Sequence, residues 1–135
     1  MESTLSQLKK CAVTEDKVKN ALQIIHCLQQ HHWVLASTVN SAPSEVLVMD
    51  SVYKKLDQET QQTICNVFQF SASRPTIRLI KTQKQKGSKD CGVFAIAFAT
   101  TIAFGHNPTK QLFRQELMRA HLVHCLNIKQ FSVFP

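Results

Sequence analysis

Glycine and proline are scarce in this sequence, with 3 Gly and 4 Pro in 135 residues. Their scarcity excludes collagen-like chains and the Pro/Gly-rich type of disordered segment. Hydrophobic residues make up 44% of the chain, which is ordinary for a globular protein. A chain of this length can build one hydrophobic core but not a second, so we expect a single domain over residues 1–135.

The chain also lacks a long hydrophobic run. Its most apolar stretch, Cys91 to Phe104, is about 14 residues long, whereas a membrane-spanning helix needs about 20. We therefore predict a buried helix there and no membrane partner.

The first residues, MESTLSQLKK, contain neither the apolar segment nor the cleavage site of a secretion signal. We expect an intracellular protein, in the nucleus or the cytoplasm.

Cysteine pairs at metal-binding or redox spacing are missing as well. The cysteines are odd in number and never spaced C-x-x-C; they are Cys11, Cys27, Cys65, Cys91 and Cys125. We expect free thiols, each of which is either a core residue or a nucleophile. Histidines lie near two of these cysteines, at His26, His121 and His124, but the spacing fits no standard zinc pattern. We predict no metal site and no cofactor.

The hydrophobic pattern predicts the element order α, β, β, β, α, β, α, α. Predicted strands are Leu22–Leu28, Trp33–Ser37, Glu45–Met49 and Thr76–Lys81; predicted helices lie near residues 5–13, at Leu56–Phe70, from Cys91, and near Gln115–Leu126. Asp57 is a plausible N-cap, and Gly105 can end its helix in the left-handed conformation. This order indicates an α+β domain with a small antiparallel or mixed sheet.

A histidine and an aspartate flank the predicted hairpin. If the hairpin closes symmetrically around Ser41, His32 at the start of one strand faces Asp50 at the end of the other. Directly opposed residues have Cβ atoms about 5 Å apart. A carboxylate at that distance can accept the imidazole N–H and fix its tautomer, as the orienting partner of a catalytic base does.

A polar loop over residues 82–90 leads directly into Cys91, the first residue of the apolar helix. The free N–H groups and the dipole at a helix N-terminus favour an anion, so this position favours a thiolate. Gly92 leaves space for a substrate backbone, and Asp90 is expected to cap the helix. Gln85 is placed to fold its side-chain amide over the thiol and donate to an oxyanion.

These residues resemble the signature of a known family, the ubiquitin-like-protein (SUMO/NEDD8) cysteine proteases, whose clan also includes the adenovirus protease. The motifs that carry the resemblance are His32-Trp33, Asp50-Ser51, Gln85 and Asp90-Cys91-Gly92. It covers about residues 22–126 and leaves residues 1–21 as a helical lead-in. The chain is also similar to shortened copies of this fold in animal genomes, which often have mobile-element ancestry.

The resemblance implies a papain-like cysteine protease fold, in which a small sheet packs on a central helix that begins at the catalytic cysteine. It implies that the nucleophile is Cys91, the general base His32, its orienting partner Asp50 and the oxyanion donor Gln85. Trp33, the only tryptophan here, would be one wall of a channel for a Gly-Gly tail. The implied reaction is hydrolysis of the amide or isopeptide bond after the C-terminal Gly-Gly of a SUMO- or NEDD8-type modifier.

Three other functions stay open. One is a catalytically inactive remnant that binds a ubiquitin-like modifier or another protein through the same face. A second is a cysteine acetyltransferase with a related His, acid, Cys order. The third is nucleic-acid binding, based on a basic segment that consists of Arg74, Arg78, Lys81, Lys84, Lys86 and Lys89. This segment lacks interleaved aromatic residues, so nucleic acid is the least favoured partner; an acidic protein surface or plain solvation fits it better.

Overall fold

The computed structural model describes residues 20–52, 55–70 and 75–135. The helix predicted near residues 5–13 lies outside these ranges. The described elements are β1 (Leu22–Cys27), β2 (His32–Ser37), β3 (Glu45–Met49), α1 (Gln58–Val67), β4 (Thr76–Ile80), α2 (Cys91–Ala103) and α3 (Gln115–Ile128). Short 3-10 turns occupy Leu28–Gln30 and Pro108–Lys110. Within the described ranges, no helix combines the length and apolar character that crossing a bilayer requires.

The four strands form one mixed sheet in the order β1-β2-β3-β4. The pairs β1–β2 and β2–β3 are antiparallel, whereas β4 runs parallel to β3. The parallel pair requires a crossover, and α1 lies in the connection between its two strands. A mixed sheet with helices confirms the predicted α+β class.

The hairpin register differs from the symmetric closure around Ser41. Leu35 is opposite Met49 and Ser37 is opposite Leu47, a shift of two residues that makes the expected direct pairing of His32 with Asp50 wrong. The connection is not one turn centred on Ser41. It contains two turns, in which the Ser41 N–H donates to the Thr38 carbonyl at 3.4 Å and the Glu45 N–H donates to the Ala42 carbonyl at 3.0 Å. A shift of two residues keeps every side chain on its face of the sheet, whereas a shift of one would reverse them all. His32 and Asp50 therefore become diagonal neighbours on one face.

The two faces of the sheet support separate parts of the core. One face packs on α2, where Leu35 and Met49 meet Phe94 and Phe98. The other face packs on α1. The buried residues of this second cluster, from the strands and from α1 with its flanking residues, are Ile25, Cys27, Val34, Ala36, Val46, Val48, Leu56, Ile64 and Phe68. α2 is buried around most of its circumference, which explains its nearly unbroken apolar sequence. The helix that begins at Cys91 therefore packs directly on the strand that begins at His32.

The helix ends follow the predicted capping residues. The carboxylate of Asp57 accepts the backbone N–H of Thr60 at 2.7 Å, which confirms Asp57 as the N-cap of α1. Hydrogen bonds from the Thr60 side chain and from this N–H lower the pKa of Asp57. Gly105 has φ +81 after the end of α2 and donates to the Ile102 carbonyl at 2.9 Å. The next N–H, that of His106, reaches the Thr101 carbonyl at 3.0 Å, which completes a Schellman motif.

Replacing Phe98 with alanine is expected to lower the free energy of unfolding by about 3–5 kcal/mol. Phe98 is fully buried and packs against the rings of Phe94 and Phe113, so its removal leaves a cavity under α2. Urea unfolding measures the change. Phe104→Ala is the matched control, because Phe104 is 51% exposed and its loss should cost less than about 1 kcal/mol. Equal losses in both variants would contradict this account of the core.

Candidate active site

His32 and Asp50 form a buried pair at one end of the sheet. His32 is the first residue of β2 and Asp50 directly follows β3, and both side chains are almost completely buried. The imidazole Nε2 lies 2.5 Å from Oδ1 of Asp50. The same oxygen accepts the backbone N–H of Val52 at 2.8 Å, which holds the carboxylate in place. With Nε2 donating to the aspartate, Nδ1 is the ring nitrogen that can accept a proton.

The neighbouring histidine, His31, has a different environment. It adopts the left-handed conformation, with φ 49, at the end of the tight turn between β1 and β2, where its N–H donates to the Leu28 carbonyl at 3.3 Å. Its side chain is exposed at the rim of a groove, whereas that of His32 is buried against the aspartate. Of the two, His32 is the histidine with an orienting carboxylate.

Cys91 is the first residue of α2 and lines an open groove of about 440 Å³. Trp33 and Gly92 lie along this groove, and the basic side chains of Lys89 and Arg119 stand at its edge. Among the described residues, no hydrogen bond joins the Cys91 thiol to His32. Catalytic hydrogen bonds are often long in unliganded enzymes and tighten when substrate binds, so this geometry is compatible with a nucleophile and base.

The other described cysteines do not line this groove. Cys27 lies on β1, directly opposite His32 of β2, and is completely buried. Burial raises the pKa of its thiol, and this effect is larger than the lowering caused by a hydrogen bond with Thr60. Cys125 is buried in α3, 3.4 Å from the His121 ring. Cys65 is half-buried on α1. Cys91 is therefore the described cysteine whose position suits attack on a substrate.

The side-chain amide of Gln85 is fixed by two neighbours. The Ser51 hydroxyl donates to its Oε1, and its Nε2 donates to the Gly87 carbonyl at 3.1 Å. The Gln85 backbone N–H also donates to the Ser51 carbonyl at 2.7 Å. The amide thus points at the loop before Cys91 and is not bonded to the thiol itself. Ser51, which directly follows Asp50 in the motif, is a site residue whose role the sequence alone does not indicate.

Side chains from α3 fasten the loop that precedes Cys91. Gln115 exchanges hydrogen bonds with both backbone groups of Lys86 at 2.8 Å and donates to Asp90 at 2.8 Å. Arg119 donates to Asp90 at 2.7 Å and to the Lys89 carbonyl at 2.6 Å. The hydrogen bond from Gln115, followed by the hydrogen bond and charge of Arg119, lowers the pKa of Asp90. Asp90 occupies the N-cap position of α2, as expected, but its carboxylate makes no capping hydrogen bond, because it accepts from Gln115 and Arg119 of α3 instead.

Replacing Gln115 with alanine is expected to lower the free energy of unfolding by about 1–2 kcal/mol, because three hydrogen bonds to the loop are lost at a partly exposed site. Urea unfolding measures the loss, and Gln130→Ala, an exposed glutamine after α3, is the control. A Gln115 variant as stable as the Gln130 variant would show that α3 does not fasten the loop.

Trp33 covers the backbone next to the cysteine. A Cβ atom added to Gly92 would lie 3.7 Å from Cδ1 of the indole, which is ordinary van der Waals contact. The indole therefore lies next to the start of α2, with room for a small side chain at position 92. On the side of the neighbouring strand β1, the Trp33 ring stacks on the His26 ring, and the two ring centroids are 4.4 Å apart. The sequence reasoning did not predict this stack, which depends on the β1–β2 register.

The basic segment lies partly beside the groove. Lys89 is on the groove, whereas Arg78 lies on β4 and pairs with Glu45 at 3.4 Å. Arg74 lies outside the described residues. Across the described ranges, no three His, Cys, Asp or Glu side chains come together as a metal site would require.

Comparison with known proteins identifies the family. The family model described as the Ulp1 protease family, C-terminal catalytic domain, matches residues 17–129, which is most of the chain. Searches of curated proteins and of solved structures found no significant match. The match agrees with the observed α+β fold, a four-stranded mixed sheet with three helices. As the resemblance predicted, the chain belongs to the Ulp1 protease family, cysteine proteases that act on ubiquitin-like modifiers.

Proposed function

We propose that this protein is a cysteine peptidase that hydrolyses the amide or isopeptide bond after the C-terminal Gly-Gly of a SUMO- or NEDD8-type modifier. The observation that carries the proposal is the buried His32–Asp50 pair beside a helix that begins with Cys91 at an open groove. Its partners are such a modifier and its conjugates, in the nucleus or the cytoplasm. The domain needs no cofactor for this chemistry, because a thiolate and an imidazole supply the nucleophile and the base.

The first half of the reaction forms an acyl-enzyme. His32 takes the thiol proton on Nδ1, and the Cys91 sulfur attacks the carbonyl carbon of the last glycine, moving the carbonyl electron pair onto its oxygen. When the tetrahedral intermediate collapses, the C–N bond breaks and the imidazolium gives its proton to the leaving amine. Asp50 stabilises the imidazolium through Nε2 during this step.

The second half returns the enzyme to its starting state. A water molecule gives a proton to His32 while its oxygen attacks the thioester carbon. The C–S bond breaks, and the sulfur takes the proton back from the imidazolium. The products are a free modifier ending in a glycine carboxylate and the Cys91 thiol.

Two donors are available for the oxyanion. The Cys91 backbone N–H is at the first position of α2, where it has no partner within the helix. The amide nitrogen of Gln85 carries two hydrogens, of which one bonds the Gly87 carbonyl. The second is available to the substrate, and the Ser51 hydroxyl on Oε1 fixes the amide so that its nitrogen faces the loop before Cys91. Removal of one such donor typically lowers the rate about 10²- to 10³-fold.

The groove favours a tail without side chains. The indole of Trp33 lies against Gly92, so a substrate backbone beside Cys91 passes close to an aromatic surface. Glycine residues allow the closest approach, because they carry no Cβ. Lys89 and Arg119 at the edge suit the acidic surfaces of a protein partner.

The test is intact-mass analysis after mixing the protein with ubiquitin, SUMO and NEDD8 whose C-termini carry electrophiles. We expect an adduct with SUMO or NEDD8 on the wild type and none on Cys91→Ala or His32→Ala. An adduct that persists on Cys91→Ala, or the lack of any adduct on folded wild type, would overturn the proposal. An acetyl-thioester formed from acetyl-CoA in place of a modifier adduct would instead identify an acetyltransferase.

The lack of a hydrogen bond between the Cys91 thiol and His32 favours a second candidate, a binding module without turnover. In that case the wild-type protein and the Cys91→Ala variant would bind a ubiquitin-like modifier with equal affinity, and neither would cleave it. Titration calorimetry with the modifiers separates the two candidates.

A further inference from the structure

We propose that His26 is a positioning residue: its stack on Trp33 holds the indole over Gly92 and so sets how tightly the groove beside Cys91 binds a glycine tail. This inference rests on the proposed function for the role of the groove. The stack itself is independent of any activity.

The β1–β2 register places the two rings together. His26 and Trp33 are directly opposite each other on antiparallel strands, so their side chains leave the sheet on the same face. The ring planes differ by 26° and the centroids are 4.4 Å apart, which is a stacked arrangement. Aromatic pairs with this geometry are stabilised beyond the area that they bury.

Trp33 needs such support because it is not part of the core. Its side chain is 41% exposed, whereas the next four residues of β2 are buried. Fixing an exposed ring in one rotamer costs conformational entropy. If the free protein does not already hold the ring, this cost is subtracted from the binding free energy of a substrate that needs the ring in place. Gly92 has no side chain to hold the ring from the α2 side, so the stack on His26 from β1 is the ring contact that restrains it.

The predicted consequence is a change in substrate binding and not in chemistry. His26 does not bond Cys91, His32 or Asp50, so its loss should leave the proton transfers unchanged. We expect His26→Ala to raise KM by about 3- to 10-fold, the range that follows from the coupling of one aromatic pair, with kcat within about twofold of wild type. His26→Phe keeps a ring on Trp33 and should restore most of the wild-type KM.

The single tryptophan makes the stack directly observable. Because Trp33 is the only tryptophan, the emission and acrylamide quenching of the protein report on its ring alone. We expect His26→Ala to shift the emission to longer wavelength and to increase quenching, and His26→Phe to reverse the increase in quenching. His124→Ala, at an exposed histidine of α3, is the matched control and should match the wild type.

The two measurements separate this inference from the proposed function. Unchanged emission and quenching in His26→Ala, with far-UV circular dichroism confirming the fold, would overturn the stack. Increased quenching with an unchanged KM would overturn the positioning role. Failure of the wild type to cleave SUMO or NEDD8 substrates would overturn the proposed function, and the fluorescence would still decide whether His26 holds Trp33.

Discussion

Cys91→Ala is expected to lower the rate of cleavage of a SUMO or NEDD8 C-terminal amide by at least about 10⁴-fold. The reason is that in the proposed reaction the sulfur forms the covalent intermediate, and none of the other described cysteines lines the groove. The measurement is single-turnover cleavage with enzyme in excess, because that condition detects slow chemistry without interference from product release. The substitution removes one nearly buried sulfur at a helix end, so the fold should remain intact.

Cys65→Ala is the matched control for this prediction. Cys65 is a half-buried free thiol on α1, on the far side of the sheet from α2, and its loss should leave the rate within about twofold of wild type. Residual cleavage in Cys91→Ala within about tenfold of wild type would mean that Cys91 is not the nucleophile, and equal losses in both variants would indicate a general effect on folding.

Asp50→Ala is expected to lower kcat by about 10²- to 10⁴-fold, with a smaller change in KM. Without the carboxylate, nothing fixes the His32 ring with Nε2 protonated and Nδ1 free to act as the base. The acceptor of the Val52 N–H is lost as well, and the buried imidazole is left without its partner. The free energy of unfolding should therefore fall by about 1–3 kcal/mol.

Asp50→Asn distinguishes orientation from general damage. The asparagine Oδ1 can still accept the N–H of Nε2, although it carries no charge to stabilise the imidazolium. We expect this variant to be at least about tenfold more active than Asp50→Ala. Steady-state kinetics on both variants, with thermal unfolding as the check on folding, test this order. Equal activity in the two variants would show that the orienting hydrogen bond has no part in the reaction.

Several elements could be predicted from the sequence because their causes are local. α2 is recognisable because it is apolar around its whole circumference, and its end because Gly105 can adopt a positive φ. Asp57 is recognisable as an N-cap because its carboxylate bonds an N–H only three residues away. Each of these features depends on a few consecutive residues, so no knowledge of distant contacts is needed.

The contact between His32 and Asp50 was also predicted, but through an incorrect register. The symmetric hairpin is wrong by two residues because the connection folds as two turns, at residues 38–41 and 42–45, and not as one turn centred on Ser41. The contact is still present because side chains alternate between the two faces of a strand, so a shift of two residues leaves His32 and Asp50 on the same face. The imidazole then reaches Asp50 as a diagonal neighbour.

By itself, the sequence determined the fold class, the family and the residue types that the proposed reaction needs, because periodicity, capping and motif order depend on the order of residues along the chain. Only the tertiary structure decided how these residues are held. Gln115 and Arg119 fasten the loop before Cys91 from a helix far along the chain, Ser51 orients Gln85, and His26 stacks on Trp33. These contacts join residues from different elements, and their partners depend on strand register and helix packing, which local patterns do not encode.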